Sequence, residues 1–299
     1  MIKLSLGSWA FVFGPYASQP VPLQTIVERL SEAEYDGIEL CGFPPHATLE
    51  RYAAHGSRRE LVRLLADNGL GVSGYAPDIS AVNPVIEGNK PGYLDLFQRN
   101  VDLCVGLGSP SIRVDSVAPP TSVAERDYQA AFDRLVDVWT AAAEIAARGR
   151  VRLVWEFEPG FLFNKPSEIL ALHRKVGHPN FQILFDTAHA YMCGVAGVRQ
   201  RGRRETLAGG VPEFVKKLEG CLGAIHLIDS DGTLHRNETS AHRPFGEGYI
   251  DFSVLAPQLL DVKAVQWWCI DLCFCPDAWE LIEPSRDFVL DLLNTKVAA

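Results

Sequence analysis

Short runs of apolar residues, unbroken or alternating with small and polar ones, recur along the chain and are separated by longer amphipathic stretches. The short runs are KLSLGSW (3–9), GIELCG (37–42), GVSGYAP (71–77), SIRVDS (111–116), RLVWEFE (152–158), FQILFDT (181–187), GAIHLID (223–229) and WWCIDLC (267–273). Between them, stretches such as LQTIVERLSEAEY, RRELVRLLADNG, YLDLFQRNVDLCVGLG and an Ala-rich segment from about 123 to 149 have helical spacing. Strand-helix alternation predicts a parallel sheet. Eight units within 299 residues favour a closed α/β architecture, a single (β/α)8 TIM barrel over 1–299, rather than an open doubly wound sheet.

Side chains alternate across a strand, so each run divides into two faces. One face carries Ile38 and Leu40, Ile112 and Val114, Leu153, Trp155 and Phe157, Ile183 and Phe185, Ile225 and Leu227, and Trp268, Ile270 and Leu272. Helices are expected to cover it. The other face carries Lys3, Ser5, Gly7 and Trp9, then Glu39, Tyr75, Arg113 and Asp115, Glu156 and Glu158, Asp186, His226 and Asp271. An open sheet sandwiched by helices is apolar on both faces. A polar inner face, with its ionisable groups near the C-terminal strand ends, fits a barrel enzyme.

Composition narrows the function. Hydrophobic residues at 47% and charged residues at 22% are those of a globular chain, and no stretch has the uncharged length of a membrane span. A formal charge of -9 disfavours nucleic acid, which wants a basic face. Seven cysteines, an odd number without a zinc-knuckle spacing, fit reduced thiols. With no signal-like segment at the N-terminus, the expected location is cytoplasmic. Homo-oligomerisation is left open.

Glu156, Asp186, His226 and Asp271 would meet at the barrel mouth from its last four strands. Three crowded carboxylates repel unless a cation compensates them, and three oxygens with one imidazole suit a divalent metal. Mn2+ is the first expectation, with Mg2+, Co2+, Fe2+ and Zn2+ as alternatives, and no organic cofactor is expected. The bland alternative is that the acids cap helices or pair with Arg113, Arg152 or Arg243; Asp186, in LFDTAHA, is placed to cap the helix after its strand. Glu158 lies on the face of Glu156, either pairing with Lys165 or acting as an acid/base group. His242, Arg113, Glu39, Tyr75 and Trp9 are candidate substrate contacts. Phe11, Phe13 and Trp267 are further candidates for an apolar wall, and the RQRGRR run (199–204) is either an anion site or a solvated basic loop.

VWEFEPG, LFDTAHA, IHLID followed by HRPFGEGYIDF, and WWCIDL resemble the sugar phosphate isomerase/epimerase family, the xylose isomerase-like barrels. The resemblance runs in strand order along essentially the whole chain and is most specific at FDTAHA and FGEGYID. It implies that Glu156, Asp186, His226 and Asp271 ligate the metal, that His189 contacts substrate beside it and that Arg243 holds a substrate oxygen or carboxylate. It also implies proton transfer by Glu156 and Asp271, although the family's usual residue at the last position is Glu. The leading expectation is a metal-dependent isomerase or epimerase of a small sugar or keto-polyol. The alternative is a lyase, a dehydratase or an enzyme that eliminates an aglycone from a keto sugar. A barrel that binds a ligand without turnover, and a phosphodiester-cleaving relative, stand behind these.

Overall fold

The computed structural model describes residues 2–297. The chain runs β1 (Lys3–Gly7), α1 (Leu23–Glu32), β2 (Gly37–Cys41), α2 (His55–Asp67), β3 (Gly71–Ala76), α3 (Lys90–Leu107), β4 (Ser111–Val114), α4 (Tyr128–Arg148), β5 (Arg152–Glu156), α5 (Pro166–Val176), β6 (Phe181–Asp186), α6 (Thr187–Tyr191), α7 (Gly210–Lys217), β7 (Leu222–Leu227), β8 (Leu234–His235), β9 (Thr239–Ser240), α8 (Phe252–Leu260), β10 (Trp267–Ile270) and α9 (Ile282–Val297). Eight of the strands close in the order β1-β10-β7-β6-β5-β4-β3-β2, and all pair in parallel. The small pair β8 and β9 forms an antiparallel hairpin above the barrel's C-terminal end. This is the TIM barrel that the alternation predicts.

The apolar face of each strand is buried against the helices. Trp139 of α4 packs on Trp155 of β5 and Phe181 of β6, with ring centroids 5.2 and 5.6 Å apart. Burying such rings removes enough apolar surface to contribute about 1.5–3 kcal/mol each. Inside the barrel, small residues make room for large ones. A Cβ on Gly37 would lie 2.7 Å from the ring of Trp267, so that indole fills the N-terminal end of the barrel, far from the mouth.

Tyr75 departs from the inner face expected of it. Ile38 pairs with Val72 but Glu39 pairs with Gly74, so Ser73 is an extra residue and the alternation reverses beyond it. Tyr75 therefore turns outward, where its hydroxyl bonds the Ala47 carbonyl at 3.0 Å and Asn100 Oδ1 at 3.3 Å. Gly74 faces inward instead, against the carboxyl carbon of Glu39 at 2.9 Å from where a Cβ would stand.

The long segment 229–249 is organised by Asp229. Its buried carboxylate accepts backbone N–H bonds from Ser230 (2.8 Å), Gly246 (3.0 Å), Gly248 (3.0 Å) and Ile250 (3.1 Å). Gly248 is required there, since a Cβ would sit 2.3 Å from Asp229 Oδ1. Asp229→Ala strands these donors, and each bond to a charged acceptor is worth roughly 1.5–3 kcal/mol. Urea unfolding should show a loss of about 3 kcal/mol or more; a loss below about 1 kcal/mol would contradict the role given to Asp229.

Candidate active site

The barrel order makes β5, β6, β7 and β10 consecutive neighbours, and their polar faces converge. One donor atom each from Glu156, Asp186, His226 and Asp271 lies within 4.8 Å of the others, and all four side chains are buried. His226 stands at the centre. Its Nδ1 is 3.1 Å from Glu156 Oε1 and 3.9 Å from Asp271 Oδ2. Its Nε2 is 3.0 Å from Glu39 Oε2. Burial alone would favour the neutral ring, but Glu39 and Glu156 outweigh it and hold the imidazole's pKa well above its ordinary value.

The carboxylates divide by how well each is compensated. Glu156 is buried, yet Arg113 Nη1 lies 2.5 Å from its Oε2, and Arg113 and His226 together bring its pKa down to about 2. Asp271 is likewise held low against burial, by His242, His226 and the Trp9 indole. Glu158 lacks such support. Burial and the neighbouring Glu156 push it up to about 8, although the Thr239 hydroxyl donates to its Oε2. Asp186 also rises, through burial and the charges of Asp271 and Glu156, which outweigh the opposing His242 and His226.

Asp186 answers both readings of LFDTAHA. Its Oδ1 accepts the His189 N–H at 2.7 Å and caps α6, while its Oδ2 is buried, without a hydrogen-bond partner among the described residues. A buried carboxylate oxygen left unpaired costs free energy unless something positive approaches it. With two further carboxylates and an imidazole around it, that orphan oxygen fits a divalent cation.

Two histidines complete the polar side. His189 Nδ1 pairs with Ser240 Oγ at 2.7 Å, and burial lowers its pKa to about 3, so its ring is neutral. His242 is buried beside it, with ring centroids 5.4 Å apart, and its Nδ1 is 3.5 Å from Asp271 Oδ1. Burial works against its charge, but Asp271 raises its pKa to about 9. Above these groups opens a cavity of about 310 Å3. Arg113, Glu156, Glu158, His189 and His242 line it from β4 to β7 and the segments after them, with Asp271 after β10; Trp9, Phe13, Cys41, Phe43 and Phe274, from β1, β2 and β10 and the segments after them, line it as one apolar cluster, and Phe161 lies beside Glu158.

Three expected contacts lie elsewhere. Tyr75 points into the helix layer. Glu39 faces inward but sits beneath His226, toward a second cavity of about 380 Å3 in the lower barrel, and does not line the upper one. Arg243 turns its Nε to Asp231 Oδ2 at 2.7 Å and leaves the cavity to the residue before it, His242. Arg113 bonds Asp115 at 3.4 Å and also reaches Glu156, so it serves both as an internal ion pair and as a cavity wall. Phe11 packs on Tyr16 and Trp279 rather than lining the cavity.

The loops supply what strand reasoning could not. Trp9 belongs to a short 3-10 turn, Ser8–Phe11, where its indole N–H donates to Asp271 Oδ1 at 2.8 Å. The Thr239 and Ser240 hydroxyls come from β9 in the NETS stretch, whose only sequence signal is membership of an over-long loop. In the RQRGRR run, Arg199 lines the cavity, Arg201 pairs with Glu125 at 2.9 Å, and Arg204 bonds the Ala196 carbonyl. Among the described residues all seven cysteines are free thiols.

Residues 27–284 match the family model described as the xylose isomerase-like TIM barrel. No curated protein sequence matches. Among solved structures, a D-tagatose 3-epimerase-like protein superposes with TM-score 0.76 at 18% identity, over 99% of this chain and 100% of that one. The IolI protein, solved with a bound zinc atom, gives 0.75 at 17%, over 98% and 99%. The probable 3-DHS dehydratase AsbF from Bacillus anthracis gives 0.72 at 16%, over 97% and 99%. At such identities these likenesses establish the fold, and the family match covers most of the sequence. The chain belongs to the xylose isomerase-like TIM barrel family.

Proposed function

We propose that the protein is a divalent-metal-dependent isomerase or epimerase of a small sugar or keto-polyol. The observation that carries this reading is the buried convergence of Glu156, Asp186, His226 and Asp271, with an orphan oxygen on Asp186. Sugar epimerases among the structural neighbours support it, including D-psicose 3-epimerase and a 3-keto-D-glucoside 4-epimerase. Mn2+ suits the oxygen-rich donor set best. A divalent ion held there supplies Lewis acidity toward a carbonyl and its neighbouring hydroxyl.

The chain's own groups do the proton work. Glu158, with a pKa of about 8, is poised near neutrality to take or return a proton beside the carbonyl. Asp271 is less free than the family's usual Glu, because its Oδ1 already accepts the Trp9 indole N–H and the Cys273 N–H, each at 2.8 Å. His242 stands next to it, with neither ring nitrogen in a hydrogen bond among the described residues, and is the second group placed to exchange a proton with substrate. The neutral His189, steadied by Ser240, is a hydrogen-bond partner for a substrate oxygen. Glu39 fixes the ring of His226 from below and leaves Nδ1 toward the carboxylates.

A lyase is the second reading, and the tied oxygen of Asp271 favours it. Elimination needs one group to take the proton and another to protonate the leaving group, and does not require a second free carboxylate for return on the opposite face. Incubation with keto sugars in heavy water separates the two. Deuterium in a recovered or inverted sugar marks the isomerase or epimerase; an unsaturated, ultraviolet-absorbing product marks the lyase.

Metal analysis tests the site itself. Wild-type protein loaded with Mn2+ and dialysed should retain one ion per chain, and Asp186→Asn should lose it while staying folded. Unchanged metal in the variant would remove Asp186 from the ligand set. Glu39→Gln should weaken metal affinity by roughly 10–100-fold, the usual effect of losing a partner behind a ligating histidine; titration of Mn2+ into both proteins reads this directly.

The pH dependence of stability tests Glu158. Its folded pKa is raised from 4.5 to about 8, so between these values the folded chain holds a proton that the unfolded chain has released. Stability therefore falls as pH rises through that window. Glu158→Gln removes the slope, and in metal-free protein the variant should gain on wild type by up to about 1.4 kcal/mol per pH unit. Parallel stability curves would show that Glu158 does not carry that proton.

A further inference from the structure

The wall facing the polar groups is the part of the cavity that the proposed chemistry does not use. Most phenylalanines of this chain are buried in the core, whereas Phe13, Phe43 and Phe274 are half-buried, pack on one apolar cluster and line this cavity. They are built in rather than left over. Phe13 meets Phe43 edge to face at 5.0 Å, and Phe274 is backed by a stacked His235 at 4.1 Å. Phe274 also has a φ of +65°, a left-handed backbone rare for a bulky residue and typically costing on the order of 1–3 kcal/mol. Strain of that kind persists where the surroundings impose it, and functional sites are where it concentrates.

A carbohydrate with hydroxyls on every side matches only half of this cavity. The donors and acceptors Arg113, Glu158, His189, Thr239 and His242 come from the consecutive strands β4 to β7 and the segments after them, whereas Phe13, Phe43 and Phe274 follow β1, β2 and β10 and pack on one apolar cluster. Hydroxyls turned to the opposite wall would lose water without gaining partners, at about 1–3 kcal/mol each. A flat apolar group there would instead cover exposed rings, and aromatic pairs add roughly 0.5–1.5 kcal/mol beyond the buried area. The cavity volume of about 310 Å3 falls at the lower end of the range, roughly 300–1,000 Å3, that takes ligands of drug size.

We propose that the substrate is a glycoside of a keto sugar with an aromatic aglycone, the sugar lying against the polar side and the aglycone against Phe13, Phe43 and Phe274. This rests on the reading of the site as one that takes a carbohydrate at a metal, and it holds whichever way the proton is returned. Free hexoses would then be poor ligands.

The test is calorimetric binding of phenyl and methyl hexosides that carry a ring ketone, both anomers, to Mn2+-loaded wild-type protein, with Phe43→Ala and Phe13→Ala alongside and metal content measured in each. The expected result is phenyl hexosides binding at least ten-fold tighter than methyl hexosides, with the advantage lost in either variant while methyl affinity and bound metal are unchanged. Equal affinity of phenyl and methyl hexosides in wild type would overturn the proposal and leave the carbohydrate reading standing. A phenyl advantage that survives in both folded variants would overturn it too, since the aglycone would lie elsewhere. Failure of metal-loaded wild type to bind any hexoside would overturn the proposal together with the reading beneath it.

Discussion

Like charges buried at the end of a barrel must be compensated, and His226 is where this protein concentrates the compensation. Its ring touches Glu156 on one side and Glu39 on the other, and with Arg113 it supplies much of the positive charge that keeps Glu156 ionised. Crowded carboxylates share such support unequally. Glu156 and Asp271 are held low, while Glu158 and Asp186 are driven up. Acid/base chemistry needs groups whose pKa values are pushed apart by their surroundings. Here the separation follows from which carboxylate lies nearest a cation, without any further device.

The barrel supplies those positions, and a loop finishes them. Strand order brings the four inward groups together, but His242 and both hydroxyls that touch Glu158 and His189 come from 229–249. That loop has little apolar content with which to hold itself. Its shape is imposed by Asp229, a buried acceptor for four backbone N–H groups, by Gly246, whose φ of +84° favours glycine, and by Gly248, which lets the chain come close. The FGEG motif is thus a matter of backbone geometry that fixes where His242 points.

The fold and the convergence of four inward ionisable groups were legible in the sequence for the same reason. A barrel strand must be apolar outside, so an ionisable residue at alternate positions can only face inward, and Glu156, Asp186, His226 and Asp271 are found there. Tyr75 was misplaced because one extra residue, Ser73, reverses the alternation, and no residue type announces such a bulge. Arg243 and His242 could not be told apart because a loop has no period. The indole of Trp9 was expected near the site as a substrate wall, but its bond to Asp271 depends on a 3-10 turn directly after the strand.

That bond bears on why Asp is tolerated at 271. A side chain one methylene shorter draws its carboxylate back toward the strand, and the space this leaves has to be filled. Trp9 lies against the site, its ring centroid 5.2 Å from that of His226, and it donates to Asp271 Oδ1. The indole can lie there only because residue 7 is glycine: a Cβ would stand 2.2 Å from the Trp9 ring. Gly7, Trp9 and Asp271 therefore act as one unit joining β1 to the end of β10. A longer acid at 271 would meet the indole, and a smaller residue at 9 would leave Asp271 Oδ1 with the Cys273 N–H and the more distant His242. Exchange at any one of the three positions is constrained by the other two, which ties the chain's departure from its family's usual Glu to the aromatic side of its own cavity.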